Sequence, residues 1–385
     1  MNLKYDLVVI GAGAIGTFHA YHAALLGKKV LVLEKDQRPV NATVRNFGQV
    51  IASGMSSKWF DYGVYGTNLY KSIQERYDVS VRNNGSVYIA SDDDEQQLIH
   101  ELKAIYDTKG YGCELLSQKQ LIDKYPTMKA SYCREALYFP QEVSVEPNLF
   151  IHRVHQYMEQ SFENLTIQRC SPVIGCEVSS NQAVITTSGG EKFLAENVVV
   201  ASGHEFKMLF PTLFKAQDLS VSKLQMMRTK PLPSLSLPGN IATGLTIRRY
   251  EAFEECPGFA AIKTPEHLQE LESYGIHILF KQAIDGTVIV GDSHQYAKIG
   301  EEENLGYQHN QYVNDLMVKE ASRIVGFDLS DMTETWAGYY GLHENGEIFE
   351  HTIEDRIHIA VGIGGKGMTC SSGYANNNTN RIFRN

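Results

Sequence analysis

Gly11, Gly13 and Gly16 stand at the spacing GxGxxG directly after an apolar run, with Ala12 and Ile15 between them. Each glycine has its own task in holding a diphosphate. Gly11 permits a tight turn, Gly13 lets the backbone approach a pyrophosphate, and Gly16 lets helix and strand pack closely. A helix opening at this turn offers N–H groups and partial positive charge to phosphate oxygens. Glu34 lies 18 residues beyond Gly16, where a carboxylate accepts both ribose hydroxyls and repels a 2′-phosphate. The chemistry predicted is dinucleotide binding. FAD and NAD share this fingerprint, so the motif does not choose between them.

These residues need a strand, a turn and a helix to position them. Residues 5–10 (YDLVVI) read as a strand buried on both faces, 17–26 as a helix stopped by Gly27, and 29–33 (KVLVL) as a second buried strand. Residues 197–201 (NVVVA) and 357–361 read as strands of the same kind. Residues 85–90, 219–229, 276–281 and 287–291 are strand-rich, with Asp285-Gly286 as a hairpin signal. The acidic residues 92–94, after Ser91, predict a helix N-terminus rather than a metal site, and helices are predicted at 148–162 and 310–325.

The fold class predicted is α/β (α+β) with two domains. A Rossmann-like FAD-binding domain, built on the βαβ unit, is interrupted by a substrate domain with a mixed, largely antiparallel sheet. The first takes residues 1–84, 145–218 and 331–385, the second 85–144 and 219–330. This interrupted layout, with a late glycine-rich turn at 362–367, favours FAD, which is long enough to be held at both ends.

Composition excludes several function classes. Against 45 Asp and Glu stand 35 Lys and Arg, and the net charge of −10 disfavours nucleic acid as a partner. No apolar run reaches the length of a membrane span. The first strand is predicted from Tyr5, so no secretory leader is expected. The six cysteines contain no CxxC pair, so the expectation is a cytoplasmic protein with reduced thiols. No metal site is predicted, because His19 and His22 on the first helix have no third ligand.

VVIGAGAIG (8–16), Glu34-Lys35, NVVVASG (197–203) and GIGGKGM (362–368) resemble the D-amino-acid-oxidase-like flavoproteins, the group of glycine oxidase and monomeric sarcosine oxidase. TVRNFGQV (43–50), EVSVEP (142–147), KLQMMRT (223–229), GDSHQY (291–296) and GGKGMT (364–369) are similar to one clade of that group, associated with phosphonate breakdown. The resemblance implies where FAD lies. Its pyrophosphate falls to Gly11, Gly13 and Gly16, with Ala12 and Ile15 in the same cofactor-binding set, and its adenosine ribose to Glu34 with Lys35 beside it. Arg45, Asn46 and Gly48 run along the pyrophosphate and ring, and Val173 meets the adenine. Ser202 and Gly203, which end the matching NVVVASG segment, join the cofactor-binding set. Gly365, Lys366, Gly367, Met368 and Thr369 form the turn at the ring's pyrimidine edge. The covalent Cys of sarcosine oxidases falls near residues 338–340, where there is no Cys, so the flavin is expected to be non-covalent. Residues 375–380 (ANNNTN) form helix poorly and count against the family's usual C-terminal helix.

The activity implied is oxidation of the C–N bond of a small anionic amine. The substrate is an amino acid or an aminophosphonate such as N-methyl-2-aminoethylphosphonate. Hydride passes to flavin N5, the imine hydrolyses, and oxygen or another acceptor takes the electrons. The alternatives are a glycine- or sarcosine-type amino-acid oxidase, a non-catalytic flavin-binding regulator, and an NAD-dependent dehydrogenase. The oligomeric state stays open. No catalytic triad is expected. Arg228 is the first candidate for clamping the substrate anion, with Arg248, Arg249 and Lys366 behind it. His294 is a candidate polar site residue, and Tyr340 a pocket wall.

Overall fold

Residues 4–384 are described by a computed structural model. The outermost residues of the expected division, 1–3 and 385, lie outside them. Among the described residues the strands form an eight-stranded sheet, a nine-stranded sheet and one short pair.

The first sheet explains the apolar runs. Strand β1 (Lys4–Ile10) has parallel partners on both sides, β2 (Val30–Leu33) and Lys192–Val200. A strand so placed has no wet face, and Leu7, Val8 and Val9 are fully buried. Leu165–Gln168 extends the parallel set beyond β2, and Ile357–Val361 extends it beyond Lys192–Val200. Helix α1 (Ala14–Leu25) leaves the turn after β1 and packs against the C-terminal helix Gly367–Arg384.

That C-terminal helix runs unbroken through 375–380, contrary to the expectation from propensity. Packing overrides the weak local preference. Ala375, Asn378 and Thr379 are buried, and Asn378 Oδ1 lies 3.1 Å from His19 Nε2 on α1. His22 Nε2 sits 3.0 Å from the Ser372 carbonyl. Both histidines are thus used in joining helices. Among the described residues no helix is long and apolar enough to cross a membrane.

The second sheet is mixed, with Asn240–Ala242 parallel to Ser86–Ala90 and the remaining pairs antiparallel. Leu219–Thr229 is paired along its whole length with Met332–His343, a segment the sequence reading grouped with the nucleotide-binding stretches. Its other partners are Val288–Gly291 and then Gln295–Lys298. Between those two, Asp292, Ser293 and His294 belong to no strand, although Asp292 exchanges backbone bonds with His277. Ser293 N donates to the Gln225 carbonyl at 3.3 Å, and Ser293 Oγ accepts from Gln225 N at 3.3 Å. Such breaks re-aim side chains out of the strand's alternation.

The acidic residues 92–94 do start a helix, Asp93–Lys109, with Asp92 as its cap accepting from Glu95 N at 2.9 Å. Glu142 is a second buried acid. It accepts from Ser53 N at 2.6 Å, Ser53 Oγ at 2.9 Å and Tyr111 OH at 3.1 Å, and also from Ser86 Oγ. Burial pushes its carboxyl up to about 7, which these bonds only partly oppose. A raised carboxyl favours the folded state most below its unfolded pKa, and the benefit is lost as pH rises towards about 7. The loss is on the order of 3 kcal/mol. Thermal midpoints should therefore fall between about pH 5 and about pH 7.5. Glu142→Gln, which cannot ionise, should flatten that fall; a profile parallel to the native one would refute this assignment.

Candidate active site

The first cavity opens where β1 meets α1 and is lined by Gly11, Gly13, Glu34, Lys35, Thr43, Val173, Ser202 and Gly203. Gly11 has φ +99°, and a Cβ there would lie 2.5 Å from the Ala201 carbonyl oxygen. Only glycine fits. A Cβ on Gly16 would come within 1.9 Å of the Gly11 oxygen, so the helix rests directly on the turn. Gly13 caps α1 with no side-chain bond of its own, and Ala14 N donates to Thr43 Oγ1 at 3.0 Å. The first turn carries no acid, so its positive end meets no negative charge within the helix that would oppose an anion. Glu34 accepts from Ala12 N at 2.8 Å and from Asp36 N at 3.0 Å. Its carboxylate is fixed at the cavity wall with lone pairs to spare. Ser202 Oγ is buried there without a partner. A cradle that a side chain would fill, an orphaned hydroxyl and a fixed carboxylate fit the adenosine and diphosphate of a dinucleotide.

The second cavity, of about 440 Å³, lies between the second sheet and the start of the C-terminal helix. Gly364, Gly365, Lys366, Met368 and Thr369 form one side, Asn46, Gln49 and Ile51 another, and Ser222, Leu224, His277, Asp292, His294 and Tyr340 the sheet side. Gln49 Nε2 is buried at this wall with no partner. His277 Nε2 lies 2.9 Å from Asp292 Oδ1 and 3.3 Å from His294 Nε2. Burial brings His294 down to about 4, against the opposing pull of Asp292. Burial would raise the Asp292 carboxyl, but His277 and His294 together hold it well below the usual carboxylate range. Lys366 Nζ is spent on the Gly346 carbonyl at 2.6 Å and on Glu251 at 2.9 Å. Arg249 lines the same cavity and donates to the Tyr296 hydroxyl at 2.8 Å.

Most of the candidate residues line one cavity or the other. His294, Tyr340, Lys366, Asn46, Gly365, Met368 and Thr369 line the second cavity, while Gly11, Gly13, Glu34, Lys35, Val173, Ser202 and Gly203 line the first. Ala12, Ile15 and Gly16 build the turn and first helical residues beneath the first cavity. Gly367 starts the C-terminal helix. Arg45 lines neither cavity; its guanidinium donates to the Val40 carbonyl at 2.7 Å and the Ala337 carbonyl at 3.3 Å. Gly48 also stands behind the wall, where a Cβ would lie 2.2 Å from the Val145 oxygen.

Arg228, the first choice for an anion clamp, is placed elsewhere: it pairs with Glu334 and lies 3.9 Å from Asp285. It sits four residues beyond Leu224, which is about 13 Å along a strand and out of the cavity's reach. Arg248 is enclosed in ion pairs with Asp92 and Glu95. His277 and Asp292 were not anticipated. Nor was Lys281, fully buried behind the Asn46–Gly48 loop, where desolvation brings its amine down to about 8 against the pull of Glu146. The sequence pattern singled out no group of this kind; the fold brings one ligand-type atom each of His277, Asp292 and His294 within 4.8 Å of one another.

Comparison with known proteins agrees with this geometry. Residues 6–377 match the model of the FAD dependent oxidoreductase family. Glycine oxidase of Bacillus licheniformis is 22% identical over 382 residues, covering 94% of this chain and 88% of its own. In fold, the chain is similar to glycine oxidase from Geobacillus kaustophilus, with a TM-score of 0.78 at 15% identity over 100% of this chain and 95% of that one. It is also similar to iminodiacetate oxidase from Chelativorans sp. BNC1, with a TM-score of 0.73 at 17% identity over 96% and 93% of the two chains. A diphosphate cradle with no room for a side chain, inside a match of this extent, has one reading: the chain belongs to the FAD dependent oxidoreductase family, and its cofactor is FAD.

Proposed function

We propose that this protein oxidises the C–N bond of a small amine bearing an anionic group, an amino acid or an aminophosphonate such as N-methyl-2-aminoethylphosphonate. The observation that carries this reading is the second cavity, where buried polar groups and aromatic walls face the 364–369 turn and Arg249 stands at the rim. In this reading FAD reaches that turn from the first cavity, and residues 4–84, 145–218 and the C-terminal stretch hold it. Bound FAD supplies the acceptor for the hydride leaving the substrate carbon, and oxygen or another acceptor then takes the electrons. Leu224, Leu279, Tyr250 and Tyr340 exclude water and fix where the carbon rests. Arg249, held by a hydroxyl rather than by carboxylates, offers its fork to the substrate anion. No cysteine is among the lining residues of either cavity, which supports a flavin held without a covalent bond.

Anaerobic addition of N-methyl-2-aminoethylphosphonate should bleach the flavin. Bleaching by glycine or sarcosine alone would replace the aminophosphonate reading with an amino-acid oxidase. Flavin inert to a panel of amines would reject amine oxidation. Arg249→Met should raise the substrate concentration for half-maximal bleaching about tenfold to a hundredfold, in line with loss of a charged hydrogen bond. An unchanged value would remove Arg249 from the site. Acid precipitation should release all the flavin into solution, and colour retained in the pellet would show a covalent link.

A further inference from the structure

We infer that His277, Asp292 and His294 form a binding site for a divalent transition-metal ion of the zinc class, on the sheet side of the second cavity. Three donor atoms converge. His277 Nε2 and Asp292 Oδ1 are 2.9 Å apart, His294 Nε2 and Asp292 Oδ1 3.4 Å, and the two Nε2 atoms 3.3 Å. Zinc bonds of about 2.0–2.1 Å in tetrahedral array place neighbouring donors about 3.3 Å apart.

The directions of the contacts count as much as their lengths. Asp292 Oδ1 is buried and, despite its distance to His277, has no aligned hydrogen-bond donor. A buried carboxylate oxygen left so is costly. A proton on one histidine serves one neighbour, whereas a cation in the middle satisfies all three donors together. The remaining ring nitrogens are already engaged: His277 Nδ1 lies 3.2 Å from Thr246 Oγ1, and His294 Nδ1 3.5 Å from Ser222 Oγ. Metal-bound histidines are oriented in this way by partners on the far nitrogen.

The backbone holds the arrangement in place. His277 N donates to the Asp292 carbonyl at 3.1 Å and its carbonyl accepts from Asp292 N at 3.0 Å, while His294 N is tied to Tyr274 at 3.0 Å. The strand break at Asp292–Ser293–His294 turns both Asp292 and His294 towards His277. Because all three residues line the cavity, a fourth coordination position faces it. A phosphonate or carboxylate oxygen of the substrate suits that position, a statement that rests on the proposed amine oxidation; the ion site itself does not.

Equilibrium dialysis of the chelator-treated holoenzyme against zinc, followed by elemental analysis, tests the site. One zinc per chain is expected. His277→Gln and Asp292→Asn should each weaken binding by at least about a hundredfold, and Thr246→Val by about tenfold. Each variant is checked for native flavin content, so that a folding failure is recognised. Absence of stoichiometric zinc, or equal binding by the folded Asp292→Asn protein, would overturn the assignment in favour of a metal-free hydrogen-bonded cluster. Bleaching is read in the same preparations: zinc without bleaching rejects only the substrate reading, and bleaching without zinc rejects only the metal.

Discussion

Gly11→Ala is expected to strip the protein of flavin. The residue has φ +99°, and its new Cβ would lie 2.5 Å from the Ala201 oxygen, a backbone atom just past the end of strand Lys192–Val200 that cannot rotate away as a side chain could. Strain of this kind costs about 1–3 kcal/mol where it can be absorbed at all. Here it is relieved by moving the turn that presents N–H groups to the diphosphate and ties Ala12 N to Glu34. Each 1.4 kcal/mol lost from binding is about a factor of ten in affinity. Flavin absorbance per protein should fall about tenfold or more, and added FAD should restore it only at high concentration. Gly27→Ala is the control: φ there is +74°, with nothing within 4 Å of the added carbon, so it carries strain without collision and should stay yellow. A Gly11→Ala protein as yellow as the native one would contradict the cradle.

Arg248→Ala should produce the largest loss of stability. The Arg248 side chain is 4% exposed and lies 2.6 Å from Asp92 and 2.8 Å from Glu95, whose side chain is 0% exposed. Glu95 also accepts from Ser91 N at 2.8 Å and Ser91 Oγ at 2.7 Å. Removing the guanidinium leaves a buried carboxylate without its counter-charge, which costs about 3–5 kcal/mol. Lysine should not rescue it, because a point charge cannot bridge two carboxylates as a planar fork does. Replacing Arg248 and Glu95 together by methionine should recover much of the loss, since the desolvation of both charges disappears with them. The measurement is the denaturant midpoint of the holoprotein, and a single variant that unfolds with the native one would refute the assignment.

What could be read from the sequence follows from how local the cause is. The strand–turn–helix around Gly11 was legible because a parallel core strand writes itself as an apolar run and the glycine spacing is local, although the contact that demands Gly11 comes from Ala201, far along the chain. Leu219–Thr229, antiparallel to its neighbours, was legible from local strand-forming composition. The three arginines were not. Arg228, Arg248 and Arg249 look alike along the chain, but their fates depend on Glu334, Glu95 and Tyr296, brought near by sheet pairing and helix packing. His277 stood 17 residues from His294, and only the strand pairing makes them neighbours. Propensity misjudged residues 375–380 because burial against α1, invisible to local composition, outweighs a run of asparagines.

The central claim is that FAD lies extended from the turn after β1 to the turn before the C-terminal helix. Electron density of the crystallised holoprotein tests it most directly. The diphosphate is expected on residues 11–14, the adenosine ribose on Glu34, and the isoalloxazine in the second cavity beside residues 364–369. Density showing that cavity packed with side chains, or the flavin ring bound elsewhere, would contradict it.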